Sequence, residues 1–404
     1  MKNIRHTSAK LSWLLLLYIF ILAGCQPEDD NDTQPDGSEL FVSADTKGTF
    51  TKTQIQAFAV VAGFGTYAPL VKYDVAFYKF VYKTTYKDQE IEASGLLAIP
   101  QNTPIAPALA SAQHGTMFLQ REAPSNFPLT FSGFELLAAA GYITVIPDYI
   151  GFGVSNNVVH PYFDEQHSAS TVVDMLKAAK YYLQRENIAT NDNLFLVGYS
   201  EGGYMTLAAQ KEIESNPEHD LNLTAVAAGA GGYDLTGMLT GIATTTTYVE
   251  PSFLALILNA YNTTYDWNRP LTDFFRGPYA SQIPTLLNGT NDREQINSQL
   301  TNSPAALFNP TFYANLQNST GEQDLKQALS DNSLLDWVPQ SPTRLYQGTA
   351  DEAVFYQTSE STYNRFRNAG ATNVELISIP GGMHRTSIEP MMLNALPWFE
   401  SLNK

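Results

Sequence analysis

Short apolar runs alternate with amphipathic segments along most of the chain, and that alternation predicts a layered α/β fold. Residues 73–82 and 91–99 are rich in β-branched and aromatic side chains and alternate in part. They read as an N-terminal hairpin, with Lys87 and Asp88 near its turn. Residues 107–113, 142–146, 194–197, 223–228, 343–348 and 373–379 are compact runs of strand length, several of them apolar throughout as in strands buried on both faces. Residues 168–184 carry Val172, Met175, Leu176, Ala179 and Tyr182 at helical spacing. Residues 202–213 are good helix formers. Between about residues 233 and 340 the alternation stops. There residues 253–258, Trp267, Phe274, Phe275, Leu286, Phe308, Phe312 and Leu316 are separated by Asn-, Pro- and Gly-rich turns. This spacing predicts short helices forming a cap inserted between two strands. Most of its aromatics are expected to form the cap's own core, the remainder to line a pocket beneath it.

The first residues have a different pattern. Lys2, Arg5 and Lys10 precede an apolar run over residues 11–23, which is shorter than the roughly 20 residues a membrane-spanning helix needs. Residues 1–24 therefore read as a signal peptide. The run ends in Leu22, Ala23, Gly24 and Cys25, which resembles a bacterial lipobox. That resemblance implies acylation of Cys25 and a membrane partner reached through its lipid. Cys25 is the only cysteine, so no intrachain disulfide can form. Residues 25–50 are expected to be an acidic flexible tether, because 26–38 are acidic, polar and free of aromatics. An acidic cluster at this place resembles the surface-export signal of Bacteroidota lipoproteins, which implies an outer-membrane protein exposed at the cell surface. Residues 51–404 remain for one folded domain. The chain has a net charge of −17, and removing residues 1–24 would delete three positive charges and no negative ones. Such a chain is unsuited to nucleic acid. Its six histidines are too scattered for a metal site, and no glycine-rich phosphate loop is visible, so neither metal nor cofactor is expected.

The most specific chemistry sits at Gly198-Tyr199-Ser200-Glu201-Gly202. An apolar strand stops there and a helix-forming segment follows, the context of a nucleophile elbow that presents a serine at a sharp turn. Gly198 and Gly202 suit this turn because a Cβ at either would crowd a neighbouring element. The helix behind Ser200 would aim its positive end and free N–H groups at the serine, making the Glu201 N–H one oxyanion donor. An acid should follow a later strand, and Asp351 does, with Glu352 as a rival. A histidine should come last, and His384 does, in the loop after residues 373–379. The order Ser, Asp, His is that of the α/β-hydrolases. His384 would serve as base and Asp351 would hold its tautomer. The loop His114-Gly115-Thr116 after an earlier strand is the place for a second oxyanion donor, the N–H of Gly115 or Thr116. Residues 146–153, with Asp148, are expected to shape the site floor, or Asp148 to act as a turn or cap residue.

With these residues placed, the chain resembles the serine α/β-hydrolases and, within them, the secretory lipase group of the fungal lipase A type. The similarity covers roughly residues 50–404. It rests on residues 198–203, the Gln113-His114-Gly115-Thr116 loop, residues 147–153 and the Gly348-Thr349-Ala350-Asp351 acid loop. The resemblance implies a mostly parallel central sheet flanked by helices, an inserted helical cap, and hydrolysis of small-molecule or lipid esters without metal or cofactor. Two features depart from it. Glu201 stands where the group often carries a neutral residue, and no cysteine is left for the disulfides of secreted fungal relatives. Two other readings remain at this point. One is a peptidase of the same fold acting on short peptides, with Glu201 or Glu250 anchoring the amine. The other is a non-catalytic binding protein, against which the intact Ser, Asp, His order speaks.

Overall fold

The structure, a computed structural model, describes residues 37–404. The signal peptide, Cys25 and the start of the tether lie outside the described residues. Nine strands form one sheet in the order β1-β2-β3-β5-β4-β6-β7-β8-β9. They are β1 (Phe41–Phe50), β2 (Val75–Tyr86), β3 (Gln89–Pro100), β4 (Leu109–Gln113), β5 (Ile143–Pro147), β6 (Leu194–Tyr199), β7 (Leu223–Gly229), β8 (Thr343–Gly348) and β9 (Val374–Ile379). The first three and the β3–β5 pairing are antiparallel; every pairing from β5 to β9 is parallel. This is the mostly parallel sheet of an α/β-hydrolase.

Strand β6 lies in the middle of the parallel part and is buried throughout. Its side chains alternate between two helical layers. Phe195 and Val197 face α1 (Lys52–Val61), α2 (Glu135–Ala140) and the C-terminal helix, Ile388–Leu402. Leu194 and Leu196 face α3 (Glu165–Arg185) and α4 (Glu201–Ser215). The expected hairpin is present, and Lys87 and Asp88 form its turn with φ of 48° and 58°. Two consecutive positive φ values match the twist of the flanking strands.

The expected tether is shorter than residues 25–50, because residues 41–50 are strand β1, paired along β2. This edge strand is half-exposed and carries polar side chains, which hid it in the sequence. Its ends are fastened by aromatics. Phe41 stacks on Tyr182 at 5.5 Å, and Phe50 meets Phe127 edge-on at 5.1 Å.

Between β7 and β8 the chain builds eight helices, from α5 (Leu235–Thr244) and α6 (Pro251–Thr264) through α12 (Gln323–Asp331). Phe274, Phe275, Phe308 and Phe312 are buried among them, with Phe274 and Phe312 edge to face at 5.3 Å. Two further helices close the domain, α13 (Tyr356–Asn368) and α14 (Ile388–Leu402). Among the described residues no helix is long and apolar enough to cross a membrane.

Candidate active site

The ends of β4, β6, β8 and β9 carry His114, Ser200, Asp351 and His384 respectively, all in segments that leave the carboxyl edge of the parallel sheet. Groups that act on ligands collect at that edge in open α/β sheets. Ser200 has φ 61° and ψ −128°, a region that costs a non-glycine residue about 1–3 kcal/mol. The conformation is held by its N–H, which donates to Gly229 O at 2.8 Å. It also needs bare backbone around it. A Cβ on Gly198 would overlap Gly202 O, and one on Gly202 would overlap Gln113 O. Helix α4 can therefore start directly behind the serine, with the N–H groups of Glu201 and Gly202 free of helical partners, while the Gly203 N–H donates to Ser200 O at 2.8 Å.

His384 Nε2 lies 2.8 Å from Ser200 Oγ, and its Nδ1 lies 2.9 and 3.1 Å from the two Asp351 oxygens. Nδ1 faces a carboxylate, so it carries the proton, and Nε2 is left to accept from the serine hydroxyl. The Asp351 side chain is fully buried. Besides the imidazole it accepts Gln347 Nε2 at 2.8 Å, Ala353 N at 3.0 Å and Val354 N at 2.8 Å. Those donors offset the cost of desolvating a carboxylate. Glu352, the rival acid, does not reach the ring; its Oε2 accepts the His384 backbone N–H at 3.1 Å. Tyr199 donates to His384 O at 2.6 Å, so the histidine loop is fastened at both peptide groups.

The predicted oxyanion loop is also against the serine. A Cβ added to Gly115 would lie 3.6 Å from Ser200 Cβ. The loop is clamped by Tyr149, which stacks on the His114 ring at 3.9 Å and donates to His114 O at 2.7 Å. The His114 nitrogens lie 2.8 Å from Gly115 O and 3.1 Å from Pro147 O. Burial pushes the His114 pKa down, and a neutral ring donates to one of these carbonyls at a time. Thr116 follows, its Oγ1 3.1 Å from Tyr162 Oη. Asp148 turns out to brace this region from behind. Its oxygens accept Ser94 Oγ at 2.5 Å and Ser125 N at 2.8 Å, and burial raises its pKa.

A strained serine hydrogen-bonded to histidine and a buried acid, on this sheet, is hydrolase geometry. The model of one family, secretory lipase, matches residues 132–402, well over half of the chain. The chain belongs to the secretory lipase family. It is accordingly a carboxylic ester hydrolase. Solved structures agree. A presumed hydrolase from Legionella pneumophila is 28% identical with a TM-score of 0.82, over 90% of this chain and 98% of that one. The rice cell wall degrading esterase LipA from Xanthomonas oryzae is 25% identical with a TM-score of 0.75, over 88% and 95%. Candida antarctica lipase A shares the fold at 18% identity, with a TM-score of 0.65 over 90% and 81%. No curated protein sequence matches the chain.

Within this secretory lipase the inserted helices enclose an apolar cavity of about 80 Å³, with Leu235, Ile242, Phe253, Leu258, Phe312 and Leu329 among its walls. Tyr162 and Val354 also line it. Tyr162 touches Thr116 and Val354 donates to Asp351, so the cavity adjoins the site. Part of the predicted cap core, including Phe308 and Phe312, thus faces a void, while Phe274 and Phe275 do not.

Two acids considered as amine anchors are already engaged. Glu250 accepts Asn297 Nδ2 at 2.7 Å and pairs with Arg293 at 3.2 Å. Glu201 accepts from His160, whose Nε2 lies 2.6 Å away. His160 was not predicted near the serine. It stands in a loop upstream of β6, and no local sequence signal marks it.

Proposed function

We propose that the chain is a serine esterase or lipase that works through an acyl-enzyme. The hydrogen-bonded series Ser200, His384, Asp351, with the serine in strained backbone, carries this reading. Ser200 Oγ attacks the ester carbonyl while His384 Nε2 takes its proton. Asp351 holds the tautomer and offsets the imidazolium charge. The oxyanion is received by the N–H of Gly115 or Thr116 and by that of Glu201, each donor typically worth about 3 kcal/mol in the transition state. The carbonyl re-forms as the alcohol leaves with the proton from His384. Water then attacks the acyl-serine with His384 as base, and the acid departs.

The inserted helices serve as a cap, and their apolar cavity receives part of the acyl group. A signal peptide over residues 1–24 would direct secretion, as the family name implies, and after its removal a lipid on Cys25 and an acidic tether would hold the enzyme at the outer face of a bacterial outer membrane. The likeness to LipA supports including acylated cell-wall polysaccharide among the substrates. The peptidase reading is weakened, since both candidate amine anchors are paired.

The test is turnover of p-nitrophenyl esters from acetate to palmitate, with Ser200→Ala as control. Turnover that depends on Ser200 supports the mechanism, and the optimum chain length reports what the cavity takes. A folded protein inert on the whole series but active on aminoacyl amides would replace this reading by the peptidase.

A further inference from the structure

Glu201 follows the proposed nucleophile directly, and its N–H is one of the proposed oxyanion donors. Its side chain is a carboxylate, only 2% exposed. A buried negative charge on that residue would oppose the negative charge that develops on the substrate oxygen. The side chain's partner is His160. His160 Nδ1 lies 2.7 Å from Ile150 O, and Nε2 lies 2.6 Å from Glu201 Oε1. A carbonyl oxygen can only accept, so Nδ1 carries a proton. The short contact on the other side then requires a second proton between Nε2 and Oε1. Imidazolium with carboxylate, or imidazole with carboxylic acid, both satisfy the geometry, and in both the pair has no net charge.

The other groups around Glu201 cannot do this. Tyr149 and Tyr162 face it, and burial holds both phenols far above their usual range, hence neutral. His114 faces it too, with its pKa pushed down by burial. Asp148, beyond His114, is an acid. Among the described residues no lysine or arginine pairs with Glu201. Glu201 Oε2 is buried without a hydrogen-bond partner. The Glu201 side chain therefore depends on a single neighbour that can share the compensating proton, His160. His160 is itself walled in, 9% exposed, near Tyr149 at 6.1 Å and edge-on to Phe152 at 5.4 Å.

We propose that His160 is a positioning residue for the hydrolytic reaction: it keeps the Glu201 side chain neutral as a pair, so that the residue donating its N–H to the oxyanion does not repel it. This rests on Ser200 being the nucleophile. The argument predicts a pattern of rescue that a packing role would not give.

The experiment compares the full chain with His160→Gln and with the double variant His160→Gln/Glu201→Gln. Each is measured by kcat and KM on p-nitrophenyl acetate, by the rate of covalent inactivation with a fluorophosphonate, and by thermal melting. His160→Gln strands the carboxylate, and kcat should fall about a hundredfold with KM changed by less than about threefold, the scale of one unpaired charge near the reacting oxygen. The double variant has no charge to compensate and should regain at least about tenfold of that loss, as coupled neighbours do. A folded His160→Gln at the parent rate, or a folded double variant no faster than the single, overturns the proposal. Should His160→Gln fail to fold, a double variant that folds and reacts supports it, and two unfolded variants overturn it. A parent that the fluorophosphonate does not label sinks the nucleophile assignment and this proposal together. A labelled parent without rescue sinks this one alone.

Discussion

Two buried histidine–aspartate pairs in this molecule look nearly alike and end in different places. His384 Nδ1 sits 2.9 Å from Asp351, with side chains 7% and 0% exposed. His167 Nδ1 sits 2.6 Å from Asp164, with side chains 8% and 6% exposed. The difference lies at the second ring nitrogen. His167 Nε2 accepts the Lys87 backbone N–H at 3.1 Å, a donor that never gives its proton away. His384 Nε2 meets the Ser200 hydroxyl, which can. Asp164 is also the N-cap of α3 and accepts the Tyr265 hydroxyl at 2.7 Å, so the His167–Asp164 pair is a joint between the β2–β3 turn, α3 and the residue that ends α6. A histidine beside a buried acid is therefore no mark of catalysis. What the free nitrogen faces decides the role.

The comparison breaks hardest at the serine. Ser200→Ala should lower kcat by about 10⁵-fold or more with folding intact, as for other serine hydrolases stripped of their nucleophile. Asp351→Asn should cost about 10⁴-fold in kcat, because the amide favours the wrong imidazole tautomer. Glu352→Gln is the matched control. Glu352 accepts the His384 backbone N–H and never touches the ring, so a change of less than about tenfold in kcat is expected. An equal loss from both variants would mean that the acid has been assigned to the wrong residue.

Sequence order named Ser200, Asp351 and His384 because each leaves a strand end that the fold brings to one edge. The elbow was legible because its glycines are local necessities of backbone contact. Asp351 was preferred to Glu352 on thinner ground, one methylene of side-chain length and one position in the loop, because neighbours in a loop differ mainly in where their side chains point. His160 was invisible for a related reason: its contact with Glu201 spans 41 residues and depends on the path of a loop without periodicity. The two histidine–aspartate pairs were equally hidden as a contrast. Strand β1 and helices α1 and α13 lacked the long apolar stripes that announced the central strands and α3.

On the structural side of the comparison the expected effect is on stability. Asp164→Asn should destabilise the fold by about 1–3 kcal/mol at pH 7, through loss of a charged, buried acceptor, while kcat of the folded protein stays within about twofold. The pH dependence has a definite sign. Burial raises the Asp164 pKa, but the hydrogen bonds it accepts from His167 and from the Tyr265 hydroxyl pull it below the ordinary value of 3.8. A depressed carboxylate contributes stability that is fully present above the unfolded pKa and is lost as pH falls through the folded one. The cost of Asp164→Asn, read from urea melts, should thus be constant from pH 7 to about 5 and shrink below about pH 4. A cost that grows on acidification would contradict the pairing.

The smallest effect runs in the opposite direction and separates the two sites by strain. Asp164 has relaxed extended backbone, φ −96° and ψ 121°, whereas Ser200 is held at φ 61°. Glycine enters the positive region freely. Ser200→Gly should therefore abolish turnover and yet gain up to about 1 kcal/mol in stability, the scale of relieved backbone strain less the added entropy of an unfolded glycine. Ser200→Ala keeps the Cβ and should show no such gain. Thermal melts of the two inactive variants isolate the term, because both lose the hydroxyl and its bond to His384. If the glycine variant melts below the alanine one, the turn is relaxed as built, and the serine owes its place at the turn to the crowded glycines beside it rather than to strain held in its own backbone.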